Sequence, residues 1–168
     1  MKKKLTAKII LGVLLIAVAA IAGYFLMFKK PAPASVKLEY RNEAYGFSVA
    51  LPESWREYSV SVDKWTGYAA GDELGEIPFA DGPVFSIHGP EWRGAGTYQD
   101  IPIMVFTLDQ WEMLRQEKFH IGAAPIGPSE LGRNSRYVFS LPARYNYAFP
   151  PGYEEIDEII QSKPLKAF

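Results

Sequence analysis

Cysteine is absent from this sequence of 168 residues, and histidine occurs only twice, at His88 and His120. Without cysteine the chain forms no disulfide, carries no lipid on an N-terminal cysteine and builds no thiolate metal site. A catalytic zinc site usually takes three protein ligands, and the His-Glu-x-x-His motif is missing. We therefore predict that the protein binds no metal and uses no cofactor.

Acidic side chains are absent from residues 1–35, which hold six lysines. Within this segment, residues 9–28 run for 20 residues without a charge. As a helix rising about 1.5 Å per residue, this run would span roughly 30 Å, the hydrocarbon thickness of a bilayer. Residues 9–28 are therefore predicted to form a transmembrane signal anchor that holds the protein in the membrane, after a basic cytoplasmic N-terminus at residues 1–8.

The lysines on the two sides of this run predict its orientation. Four lie before it and two after it, at Lys29 and Lys30, and the excess favours a cytoplasmic N-terminus. Residues 29–35 form a Pro/Ala linker, which favours an extended spacer. Residues 36–168 are then the extracytoplasmic domain of a single-pass cell-membrane protein. The alternative is a cleaved signal peptide, because small residues at 17–22 suit a cleavage site, and cleavage would leave a soluble secreted domain.

The predicted outer domain, residues 36–168, is acidic. It holds 12 of the 18 basic side chains and all 19 acidic ones, which gives a net charge of −7. Such a surface argues against binding to nucleic acid or to an anionic lipid surface. Its length suffices for one hydrophobic core and is too short for two ordinary domains.

Residues 40–55 read YRNEAYGFSVALPESW, and this stretch predicts a turn followed by a half-buried strand. Its apolar side chains alternate with small ones, which is the period of a strand with one buried face. The alternating apolar residues are Tyr45, Phe47, Val49 and Leu51. Pro52 cannot donate to a sheet ladder and so ends the strand. Trp55 is then expected to fold back as a plug in the core.

The rest of the domain alternates strand and helix signals. Glycine-rich loops are predicted at residues 65–82 and 89–100. Thr107 followed three residues later by Gln110 is a capping box, which predicts a helix to about residue 119. Strands are predicted at residues 58–63, 84–88, 101–106, 137–141, 144–149 and 165–168, and a second amphipathic helix from Tyr153.

Short turns between successive strands predict an α+β fold, in which helices pack on an antiparallel sheet. Residues 101–106 are apolar at almost every position, so this strand should be covered on both faces. A helix on each face of the sheet is the architecture that provides this cover.

The opening stretch resembles the start of bacterial extracytoplasmic domains related to PsbP and Mog1. The resemblance rests on Tyr-x-Asn at residues 40–42, Tyr-Gly-Phe-Ser at 45–48 and Leu-Pro-x-Ser-Trp at 51–55. It is supported by a Gly-Arg-Asn turn before the aromatic strand at 132–139 and by the closing helix with its short terminal strand. Over residues 38–168 the resemblance implies an α/β/α sandwich. It also implies a role in binding or assembly, with no catalytic motif to carry over.

Two features carry the alternative that the protein is a small hydrolase or a metal-dependent enzyme. Ser48 lies in a Gly-x-Ser-x-Ala sequence close to a nucleophile elbow, but the elbow needs a final glycine and a sharp turn, and strand alternation runs through Ser48. His88 follows a strand and His120 a helix, so the two rings would share a metal only if the fold brought them together. We therefore expect a protein that is not an enzyme.

Aromatic residues are abundant, with four tryptophans, ten tyrosines and ten phenylalanines. Four of them lie in the predicted glycine-rich loops and break the strand alternation, which makes them candidates for interaction. These are Trp65, Tyr68, Trp92 and Tyr98. The alternative is that they fold back to cap the sheet. The prediction is a membrane-anchored binding domain whose partner is another envelope protein.

Overall fold

The computed structural model describes residues 38–71, 77–122 and 126–168. The predicted N-terminus, anchor and linker lie outside the described residues. Within these three ranges, no helix is both long enough and apolar enough to cross a bilayer. The described residues belong to one compact unit, Lys37–Phe168.

The described part of the chain forms nine strands, two α-helices and one 3-10 turn. The strands are β1 (Glu39–Asn42), β2 (Phe47–Ala50), β3 (Ser59–Ala69), β4 (Pro78–His88), β5 (Asp100–Thr107), β6 (Phe119–His120), β7 (Ser129–Arg133), β8 (Tyr137–Leu141) and β9 (Leu165–Ala167). The helices are α1 (Leu108–Arg115) and α2 (Tyr153–Gln161), and the 3-10 turn is Glu53–Trp55.

The strands form two sheets in which every described pair is antiparallel. One has three strands in the order β1-β2-β9, and the other has six in the order β6-β3-β4-β5-β8-β7. Antiparallel sheets with two helices confirm the predicted α+β class. The opening stretch, however, does not join the main sheet; it forms a second sheet with the C-terminal strand.

Two hydrophobic clusters lie on opposite faces of β5. Side chains Ile101, Ile103 and Val105 belong to the first, together with residues of β2 and α2. The first cluster also includes Trp55, Phe139 and Ile156. The second cluster combines Met104 and Phe106 of β5 with Trp111 of α1 and Phe119 of β6. The prediction that residues 101–106 are covered on both faces is therefore confirmed.

The opening stretch forms the predicted turn, strand and core tryptophan, but β2 is buried on both faces, including at Ser48, and is not half-buried. Phe47 and Val49 are fully buried in the first cluster, and Trp55 is only 1% exposed. The Asn42 side chain accepts a hydrogen bond from the Tyr45 backbone N–H at 3.1 Å and so closes the turn before β2. Trp55 packs against Gly89, where an added Cβ would lie 3.0 Å from the indole ring.

Asn134 connects three separate parts of the fold. Its side-chain amide donates to the carbonyl oxygens of Tyr45, Gly46 and Phe168 at 2.9, 3.1 and 3.2 Å. Its Oδ1 accepts from the backbone N–H of Arg136 and thereby shapes the turn between β7 and β8. The Tyr-Gly-Phe-Ser stretch and the Gly-Arg-Asn stretch therefore meet in space.

The loop predicted at residues 65–82 was wrong in most of its length. β3 runs to Ala69 and β4 begins at Pro78, so the two strands form a long hairpin. The glycines that suggested a loop allow close packing instead. A Cβ on Gly67 would lie 2.3 Å from the Phe119 ring, and one on Gly82 would lie 2.7 Å from the Trp65 indole nitrogen.

The strand predicted at residues 144–149 was also wrong. Arg144, Asn146 and Phe149 have positive φ angles of 52°, 65° and 48°, which no strand accommodates. Backbone hydrogen bonds from Tyr147 to Arg144 and from Phe149 to Asn146 close successive tight turns. The aromatic alternation of this segment therefore does not reflect a pleated strand.

The first predicted helix ends four residues early, at Arg115. Its capping box at Thr107 and Gln110 is confirmed, with both reciprocal hydrogen bonds present. The backbone N–H of Lys118 donates to the Met113 carbonyl, with Glu117 left-handed at φ 56°, which is the Schellman geometry that terminates helices.

The predicted turn at residues 132–134 begins later, at Asn134, because the two residues before it complete β7.

Candidate functional site

Trp65, a predicted interaction residue, lies in the second hydrophobic cluster and is only 3% exposed. Its indole stacks on Phe106 with ring centroids 4.4 Å apart, and its N–H donates to the Val105 carbonyl at 2.9 Å. The expectation of a loop position was wrong because β3 continues through this residue. Trp65 therefore presents no surface to a partner.

Tyr68 lies near the C-terminal end of β3, whereas Trp92 lies near the end of the sheet where β3 begins. Tyr68 pairs with His120 of β6, and the two rings are 6.2 Å apart, whereas Ser59 at the start of β3 pairs with His88. Nine residues of strand separate Ser59 from Tyr68, which is about 30 Å at 3.3 Å per residue. The two histidines therefore cannot share a metal, and the described residues hold no group of three possible metal ligands.

Ser48 is buried within the three-stranded sheet. It lies between Arg41 of β1 and Lys166 of β9 in the register of the strands. Its hydroxyl is therefore not exposed to a substrate, and the extended backbone of β2 provides no nucleophile elbow.

Trp92 covers one end of the six-stranded sheet. It belongs to residues 89–99, a loop as predicted, and its ring stacks on His88 with centroids 4.0 Å apart and an interplanar angle of 24°. His88 is only 4% exposed. Its Nε2 lies 2.8 Å from the Ser61 hydroxyl, and its Nδ1 lies 3.7 Å from the Asp100 carboxylate. Three polar side chains on adjacent strands, Ser61, His88 and Asp100, thus lie beneath the tryptophan.

The electrostatics of His88 follow from its burial. Burial lowers the pKa of His88 below its ordinary value, although the nearby Asp100 carboxylate acts in the opposite direction. The ring is therefore neutral near pH 7. The Ser61 hydroxyl can then donate to Nε2, which places the ring proton on Nδ1, on the side of Asp100.

Tyr98 fixes the other end of the same loop. Its ring packs on Gly152, where an added Cβ would lie 2.2 Å from the ring carbons. Its hydroxyl donates to the Glu155 carboxylate at 3.2 Å. Burial and the neighbouring Glu155 raise the pKa of Tyr98, so the hydroxyl keeps its proton. The loop is therefore held against α2 as well as against the sheet.

Residues 142–152 lie beside this loop and carry two exposed aromatic side chains. The Gln99 backbone N–H donates to the Pro151 carbonyl at 2.8 Å, and the Tyr145 hydroxyl donates to the Asp100 carbonyl. Tyr147 is 64% exposed and Phe149 is 69% exposed. We call residues 89–99 and 142–152 together the aromatic loop surface.

Sequence reasoning identified half of this surface. Trp92 and Tyr98 were predicted, whereas Tyr147 and Phe149 were assigned to a strand. A cluster of prolines and a glycine at residues 150–152 is the signal that could have marked the segment as a loop. Ser61 and Asp100 carried no local motif, since cross-strand register alone brings them to His88.

Comparisons of the chain with protein-family models, curated proteins and solved structures found no match.

Proposed function

We propose that the protein is a membrane-anchored extracytoplasmic recognition domain that binds another envelope protein through the aromatic loop surface. The proposal keeps the anchor at residues 9–28, with the N-terminus in the cytoplasm. Of the four aromatic residues predicted from the sequence, Trp92 and Tyr98 belong to this surface. The other two do not, because Trp65 is buried and Tyr68 lies at the far end of β3.

The exposure of Tyr147 and Phe149 is the observation that carries this proposal. Exposed large aromatic side chains are costly to leave in water, and aromatic residues are enriched at protein interfaces. Arg144, Asn146 and Phe149 hold the segment in left-handed backbone that non-glycine residues rarely adopt. Such backbone is concentrated at functional sites.

The loops are also fixed before any partner arrives. Trp92 on His88 and Tyr98 on Gly152 anchor one loop, and the Asn146 amide donates to Asp157 of α2 at 2.6 Å to anchor the other. A surface that is already ordered loses less conformational entropy on binding. This favours recognition of a folded partner by the rigid aromatic side chains.

The charge beside the surface indicates the chemistry of the partner. The first turns of α2 carry Glu154, Glu155 and Asp157, and two of these acids touch the loops directly. An apolar patch with a basic rim is therefore the complementary surface on the partner. Its association should be faster at low salt, because opposite charges steer the encounter.

The likeness to PsbP and Mog1 domains is part of the proposal and rests on three features of this chain. The residues that carry the likeness, around Gly46 and Asn134, are in contact. A helix contributes to each of the two hydrophobic clusters. Last, the chain closes with α2 followed by the short strand β9. We propose an α/β/α sandwich of that kind.

The experiment is partner capture by the full-length tagged protein from detergent-solubilised membranes. Tyr147→Ala and Phe149→Ala should each weaken capture about tenfold or more, the effect of losing one interface hot spot. Val62→Ala is the matched control, because Val62 is 63% exposed on β3. Thermal unfolding of all variants should stay close to wild type.

Unchanged capture by a double Tyr147→Ala, Phe149→Ala variant would refute the surface. Equal loss with Val62→Ala would also count against it, because the effect would then not be specific to the two loops.

A further inference from the structure

Ser61, His88 and Asp100 form a connected row across three adjacent strands. Ser61 is exposed on β3, His88 lies on β4 and Asp100 begins β5. The Ser61 hydroxyl is 2.8 Å from His88 Nε2, and the other ring nitrogen is 3.7 Å from the Asp100 carboxylate. The Ser61–His88 contact is one through which an imidazole can activate a serine, and the Asp100 carboxylate lies on the other side of the ring, beyond hydrogen-bond distance.

The hydrogen bonds of His88 leave one nitrogen unsatisfied. Nδ1 is buried and has no hydrogen-bond partner within the described residues, and Asp100 is the charged side chain that faces it. A positive charge on the ring would attract the carboxylate and shorten the 3.7 Å separation. Proton transfer from Ser61 to Nε2 would therefore be stabilised by the group that lies on the opposite side of the ring.

The surroundings of Ser61 suit a small acyl group. Ser86 lies directly opposite Ser61 in the strand register, so its side chain projects from the same face. A hydroxyl there can donate to the oxygen of a carbonyl held at Ser61. Trp92, stacked on His88, supplies an apolar wall beside the same position.

We propose that Ser61 is an activated nucleophile that accepts acyl groups from small activated esters, with His88 as its base and Asp100 as the positioning residue. This proposal is independent of the recognition function. Ser61 Oγ forms a bond to the ester carbonyl carbon, and its proton passes to His88 Nε2. The bond from that carbon to the leaving oxygen breaks, and the leaving oxygen takes the proton from His88. Water then cleaves the acyl-serine by the reverse order of proton transfers.

The test uses the full-length protein in detergent with p-nitrophenyl acetate and with a fluorophosphonate probe. Wild type should release p-nitrophenol in an initial burst and carry the probe on Ser61 after peptide mapping. Ser61→Ala should abolish both signals. His88→Gln should slow them about 100-fold, the usual contribution of a general base. Ser59→Ala is the matched control, because Ser59 lies on β3 like Ser61 and pairs with His88 in the strand register. This variant should react like wild type.

The pH dependence of the wild-type reaction gives a second readout that needs no variant. Labelling should rise with pH until His88 is neutral and then level off, while Asp100→Asn should lower the rate and move this titration. Absence of labelling in folded wild type would overturn the proposal. Labelling on Ser59, or labelling that is unchanged in Ser61→Ala and at every pH, would also overturn it.

Discussion

His88 is a buried residue with contacts on both of its ring nitrogens and on one ring face. It is packed between Trp92 and the sheet, and its nitrogens face Ser61 and Asp100. Because burial lowers its pKa, the folded protein binds fewer protons at this residue than the unfolded chain does. His88 should therefore contribute to the pH dependence of the stability of the domain.

We predict that the free energy of unfolding rises with pH. The contribution of His88 is fully present above the unfolded-state pKa of about 6.5 and is lost as pH falls from there toward the lower folded-state pKa. Urea unfolding between pH 5 and pH 7.5 measures the slope. His88→Gln should flatten it. An unchanged slope in His88→Gln would mean that other groups produce it.

Individual core residues could largely be predicted from sequence. Phe47, Val49 and Trp55 are buried as their strand alternation and proline stop indicated. Trp65 was placed outside the core because four glycines follow it within the predicted loop at residues 65–82. Local composition does not reveal that a glycine provides the space into which an aromatic ring packs, since the ring that fills it comes from a distant element.

At the scale of elements, the β3–β4 hairpin depends on these close approaches. The Phe119 ring lies over Gly67, and the Trp65 ring lies over Gly82. The rings replace the missing side chains and cover the backbone, a known way to stabilise glycine within a sheet. The glycines therefore allow the rings of the second hydrophobic cluster to pack closely, although glycine in the sequence argues against a strand at these positions.

Gly67→Ala tests this arrangement. The added methyl would lie 2.3 Å from the Phe119 ring, and such overpacking should cost about 1–3 kcal/mol in the free energy of unfolding. Gly127→Ala is the control, because nothing lies within 4 Å of its added methyl, and it should change stability by less than about 0.5 kcal/mol. Urea unfolding followed by tryptophan fluorescence measures both. Similar values for the two variants would contradict the packing argument.

The segment 142–152 shows why half of the candidate surface was missed. Tyr145, Tyr147 and Phe149 alternate as in a strand, but the alternation arises from successive tight turns with left-handed residues. Asn146 is of a residue type enriched in that conformation, but Arg144 and Phe149 give no such signal. The segment contacts α2 through Asn146 and contacts the end of the other loop through Tyr145, and side-chain alternation does not reveal such contacts between separate elements.

At the scale of the whole molecule, the fold class was predictable because the spacing of apolar side chains indicates a strand or a helix in many separate elements. The apolar run of β5 correctly indicated cover on both faces, and the capping box correctly placed the start of α1. The separation of β1, β2 and β9 into a second sheet was not predictable, since strand pairing across most of the domain leaves no local mark.

The predicted anchor gives a test that concerns the whole chain. The uncharged run at residues 9–28 should keep the full-length protein in the membrane fraction through alkaline carbonate washing, and its deletion should release the protein. Immunoblotting of the two fractions measures this. Recovery of a soluble form that starts near Gly23 would instead show a cleaved signal peptide.

Site-specific photo-crosslinking in intact cells tests the central claim most directly. A benzophenone amino acid placed at Tyr147 reaches only a few ångströms, so it captures a protein that touches the aromatic loop surface. The same amino acid at Val62 probes an equally exposed position on β3. The account predicts one discrete heavier product from position 147 and none from position 62. No product from position 147, or the same product from both positions, would contradict it.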